Sequence, residues 1–213
     1  MANVLITRLV GFAVILAVFV VAVGAYTRLA DAGLGCPDWP GCYGFLTVPE
    51  AVADVSLAEA RYPDAPVEVT KAWWEMGHRY IAGALLLLVF AIFVVAWRGR
   101  QENTPTTFMS VLLVIILCQA AFGAWTVTLK LWPQVVTAHL LGGFTTLSLL
   151  WLVLLRQGVF PSIHRGLPTP GKHAVIALAA VIGQIALGGW VSSNYAALAL
   201  SLIHISEPTR PSV

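Results

Sequence analysis

The sequence predicts an all-α membrane protein: a four-helix transmembrane bundle followed by the first helix of a second, pseudo-symmetric bundle. Three observations predict it. Hydrophobic residues make up 59% of the 213 positions and charged residues 10%, against roughly 45–50% and about 25% in an average soluble domain. Five apolar windows each approach the roughly 20 residues that a helix needs to cross the hydrocarbon of a bilayer. Finally, part of the third window returns in the fifth. Mean hydropathy is +0.84, and a soluble globular fold is excluded. Twelve Lys and Arg against ten Asp and Glu leave a net charge of +2. That charge is scattered, whereas nucleic-acid binding calls for a basic face or stripe, so no nucleic-acid partner is expected.

The first window, residues 9–26, ends in Tyr26-Thr27-Arg28, which is no small-residue cleavage site, so it reads as a retained span rather than a signal peptide. Residues 27–72 form a loop with Asp31, Asp38, Glu50, Asp54, Glu59, Asp64 and Glu68 against Arg28, Arg61 and Lys71. Spans two to five follow at 74–97, 108–129, 135–155 and 173–190. None has the period-two alternation of barrel strands, so all are helices. Arg8, Arg98, Arg100, Arg156, Arg165 and Lys172 lie at the ends opposite that loop. Basic residues favour the cytoplasmic side, so the N-terminus and a 157–172 linker are expected inside and the 27–72 loop outside, as in a bacterial inner membrane. Residues 1–156 are then an N-terminal four-helix half. Cys36 and Cys42 face an oxidising compartment where a disulfide persists. Cys118, within the third span, reads as a small apolar packing residue.

Gln119-Ala-Ala-Phe-Gly-Ala-Trp125 reappears as Gln184-Ile-Ala-Leu-Gly-Gly-Trp190, and the stretch beginning at Gly24 aligns with that beginning at Gly188. The fifth span, within residues 173–199, therefore reads as the start of a second copy. Residues 200–213 read as the translation of a transposase adapter from DNA-library preparation, a non-native tail in which His204 carries no functional weight.

His78, in Glu75-Met-Gly-His78-Arg79, and His139, in Val135-Val-Thr-Ala-His139, lie one to two turns inside spans two and four. Ionisable residues at such depth are costly and mark functional sites. Two imidazoles at matched depth can ligate a haem iron axially, or simply hydrogen-bond between helices. Glu75, one turn from His78, can orient the imidazole, move a proton, hold a positive centre, or pair with Arg79 or Lys71. Arg79 and Arg28 can bind haem propionates or act as snorkelling anchors. The Cys36-Pro-Asp-Trp-Pro-Gly-Cys42 loop can close as a disulfide, structural or exchanging with an external thiol; neighbouring ligands for a metal are lacking. His164 and His173 read as surface residues near the basic linker.

Taken together these motifs resemble the haem A synthase family, of the bacterial type with a cysteine pair. The resemblance runs from about Gly11 to Ala199 and includes Gly33-Leu-Gly-Cys-Pro-Asp-Trp-Pro-Gly-Cys42 and Gly188-Gly-Trp-Val-Ser-Ser-Asn-Tyr195. It implies eight spans in two halves, of which this sequence would hold the first half and one further span. It implies that His78 and His139 bind the substrate haem O, that Glu75 is the catalytic carboxylate, and that Cys36 and Cys42 are the outer-loop pair. A haem b is expected in the missing half. The implied reaction oxidises a methyl group of haem O to a formyl group for cytochrome oxidase. Haem O synthase, an electron acceptor and a second copy of the chain are the implied partners. The alternatives are a bis-histidine electron-transfer cytochrome and a non-catalytic assembly factor.

Overall fold

A computed structural model describes residues 4–99, 106–159 and 171–194. Among them are six helices: α1 (Val4–Leu29), α2 (Val52–Arg61), α3 (Val69–Gly99), α4 (Thr106–Thr128), α5 (Pro133–Arg156) and α6 (Lys172–Ser193). All but α2 are long and apolar enough to cross a membrane, so the chain is a multi-pass membrane protein with five candidate spans. Residues 200–213, His164 and His204 lie outside the described residues, as does most of the 157–172 linker.

The five windows are recovered, with longer ends. Both α1 and α3 start five residues before their windows, α1 at Val4 and α3 at Val69 rather than at residue 74. The 31 residues of α3 extend about 45 Å at 1.5 Å per residue, well beyond a hydrocarbon core of about 30 Å. The first turns of α3 therefore stand proud of the lipid, where the 27–72 loop wraps them. The four-residue link from α4 to α5 turns tightly, with Lys130 and Leu131 in the left-handed region at φ 49° and 59°. Pro133 then opens α5, a position where its missing N–H costs nothing.

Helices α1, α3, α4 and α5 pack side by side in that cyclic order, and α6 rests on the outside of α5. In the half away from the loop, the ring is filled by aliphatic side chains. Ile6, Val10, Ala13 and Ala17 of α1 recur at helical spacing and meet Val89 and Ile92 of α3, Met109 and Leu112 of α4, and Leu150 and Val153 of α5. A second, smaller core lies inside the loop, where Cys36, Cys42, Tyr43, Val48 and Ala58 close over Ala72 and Met76 of α3. Tyr43 is buried there and donates its hydroxyl to the Pro66 carbonyl at 3.0 Å. Burial, reinforced by nearby carboxylates led by Glu68, pushes its phenol above the ordinary tyrosine value.

Cys118 is a correction. It is exposed rather than packed. Helix α4 is apolar on every side, and in lipid an apolar side chain gains nothing from turning inward, so hydrophobicity did not mark the inner face. His173 is exposed, as expected.

Candidate functional site

The bundle changes character toward the loop end, where aliphatic filling gives way to glycine, histidine and one ion pair. His78 projects from α3 against Gly24 of α1, so closely that a Cβ at position 24 would stand 2.7 Å from Cε1 of the imidazole. His139 projects from α5 against Gly123 of α4, with the corresponding separation 3.5 Å. The His78 ring thus fills a notch that even a methyl group at position 24 would close, whereas the His139 ring lies at ordinary contact distance over Gly123. Counting from their helix starts, the two histidines lie about 14 Å and 9 Å along α3 and α5.

The hydrogen bonding of the rings bears on what they can hold. Nδ1 of His78 is buried without a partner. Nδ1 of His139 is also buried without a partner. A buried ring nitrogen without a protein partner is open to a ligand, so both residues fit a haem iron. Gln119 adds an amide one turn deeper, lying directly on Gly142 of α5.

Glu75 is buried and has two partners. It pairs with Arg79 one turn along α3, and it accepts the backbone N–H of Cys36 at 3.0 Å. Arg79 in turn donates to the Gly41 carbonyl at 2.5 Å and to that of Pro40 at 3.4 Å. The pair therefore grips both ends of the loop that the Cys36–Cys42 disulfide closes. Gly35 is required there: a Cβ would stand 2.5 Å from the backbone of Lys71, with no flexible side chain to yield. Next to Gly35 a polar cleft of about 280 Å³ opens, walled by Asp31, Glu68 and Lys71. Lys71 pairs with Glu68 at 3.1 Å and Asp31 at 3.8 Å, so it is Arg79 that serves Glu75. Among the described residues no group of three metal-ligating side chains occurs, and the two loop cysteines are in the disulfide.

Arg28 stands apart from this cluster. It donates to the Ser192 carbonyl of α6 at 2.6 Å and lies 4.0 Å from Asp31. The structure thus brings together Glu75, Arg79, Cys36 and Cys42 in one contact network and places His78 one turn away, while Arg28 ties α1 to α6. The glycine notches were not singled out from the sequence as histidine seats. Their signal was the repeat itself, which carries Gly24, Gly123 and Gly188 at matching positions.

Residues 7–211 match the family model COX15-CtaA, described as cytochrome oxidase assembly protein. The chain is 46% identical over 204 residues to a protein named heme A synthase from Shewanella oneidensis, an alignment covering 95% of this chain and 61% of the relative. It is 32% identical over 205 residues to a heme A synthase of Methylorubrum extorquens, covering 86% and 53% respectively. A heme A synthase of Chelativorans is 30% identical over 211 residues, covering 88% and 57%. The chain thus spans between 53% and 61% of the length of these relatives. No solved structure matches it.

Proposed function

From the premise that the chain belongs to the COX15-CtaA family of cytochrome oxidase assembly proteins, we propose that it serves haem A synthesis, the oxidation of a methyl group of haem O to a formyl group. The observation that carries this reading is the pair of histidines, each seated on a glycine of the neighbouring helix with a buried, unpartnered Nδ1. In this reading the imidazoles of His78 and His139 would hold the iron of the substrate haem O. The haem, when bound, supplies the iron centre and the peripheral methyl group on which the reaction is done. Glu75 holds positive charge or accepts a proton beside it. Arg79, and Arg28 from the end of α1, hold the propionates. A haem b, haem O synthase, an electron acceptor and a second copy of the chain belong to the same proposal. So does an orientation with the N-terminus in the cytoplasm and the disulfide loop outside, supported by the basic residues at the opposite helix ends.

The two partners already on Glu75 favour a second reading, in which this carboxylate only holds the loop and the histidines serve an electron-transfer cytochrome. One experiment separates the two. Membranes containing the full-length gene product are extracted for haem, with and without Glu75→Gln. Haem O converted to haem A by the wild type and not by the variant, with haem still bound to both, supports the synthase. Bound haem with no conversion by the wild type sinks it in favour of the cytochrome.

A further inference from the structure

The loop descends further along α3 than closing a disulfide requires. The Tyr80 hydroxyl donates to the Leu46 carbonyl at 3.0 Å, and the neighbouring Arg79 holds the Gly41 and Pro40 carbonyls. Counting back about 20 residues from Arg98, the basic end of α3, places the edge of the hydrocarbon near residues 78–80. The Tyr80 side chain leans toward the start of α3, so the backbone of Leu46 lies just outside that edge, within reach of it for a leucine side chain.

Its direction is fixed as well. Trp73, Tyr80 and Leu87 recur every seven residues along α3 and are 39%, 47% and 69% exposed, so they form the face that α3 turns away from the bundle. In a spanning helix that face meets lipid, with Trp and Tyr at the interface. The Trp73 indole donates to Glu50, and Tyr80 holds Leu46, so residues 46–50 of the loop lie along this same face. Leu46 is 89% exposed there, and Trp39, beside Pro40, is 46% exposed.

We propose that the tip of the disulfide loop docks on the bilayer, with Leu46 inserted at the hydrocarbon edge of the leaflet on the loop side and Trp39 in its interface. A leucine at that level with no protein over it is solvated by acyl chains, which removes the cost of showing it to water. The loop that grips Glu75 and Arg79 is then held from two sides, by α3 and by lipid.

The test uses the whole chain carrying Cys118→Ser, because Cys118 is an exposed thiol. A single cysteine is introduced as Leu46→Cys, with Leu87→Cys and Asp64→Cys as references for lipid and water. Each is labelled with a nitroxide without reductant, so that the loop disulfide is kept. Collision rates with oxygen and with a nickel chelate are then measured in phosphatidylcholine–phosphatidylglycerol vesicles. The oxygen-to-nickel ratio at position 46 is expected to exceed that at 64 several-fold and to fall short of that at 87, which lies about 10 Å deeper along α3 than Tyr80. A ratio like that at 64 overturns the proposal, as does a label shielded from both reagents, which would put a protein partner there. Trp39→Cys supplies an independent reading, expected between the two references, should the Leu46 variant fail to keep its disulfide.

Discussion

Gly24 and Gly123 on one hand, and Gly188 on the other, occupy matching places in a repeated sequence and meet different surroundings. A Cβ at the first two would touch the imidazoles of His78 and His139, whereas a Cβ at Gly188 meets nothing within 4 Å among the described residues. The repeat therefore specifies a small residue on a helix face. What turns that face into a site is the histidine that a neighbouring helix brings to it. The four-helix region has two such histidines, and nothing described faces Gly188 on α6.

The largest effect that would sharpen this contrast lies in the clamp that only the first region carries. Glu75→Ala leaves the Arg79 guanidinium buried without its carboxylate and the Cys36 N–H without an acceptor, and is expected to cost about 3–5 kcal/mol. A large drop in the thermal midpoint of the detergent-solubilised chain checks it; an unchanged midpoint would show the clamp to be idle. Next comes Gly24→Ala. Its methyl group would overlap the His78 ring, an overpacking cost of about 1–3 kcal/mol set against roughly 1 kcal/mol gained from better helix propensity. The same variant should weaken haem binding, read by titration of the absorption spectrum. Smallest are Gly123→Ala, which makes an ordinary contact, and Gly188→Ala, which makes none; both should be neutral or stabilising by up to about 1 kcal/mol. Equal effects at positions 24 and 188 would break the comparison.

The five spans were legible because crossing a bilayer demands long apolar runs, and the two histidines because their charge is out of place in such runs. Three features were not. Helix α2 is short and lies within an acidic loop, so its apolar residues form no window of spanning length. The hold of Glu75 on the loop joins side chain to backbone across 39 positions, and backbone partners leave no mark in the sequence. The seats at Gly24 and Gly123 hid among other glycines, which are common in membrane helices and mostly serve close helix contact.

The loop disulfide has a further consequence, concerned with time rather than position. Cys36 and Cys42 have no exposed surface, although the bond between them lies in a loop at the protein's edge. An external thiol reaches neither sulfur while Glu75 and Arg79 hold the loop down. Reduction must therefore wait for the loop to lift, so the lifetime of the bond in a reducing buffer is a clock that counts those openings.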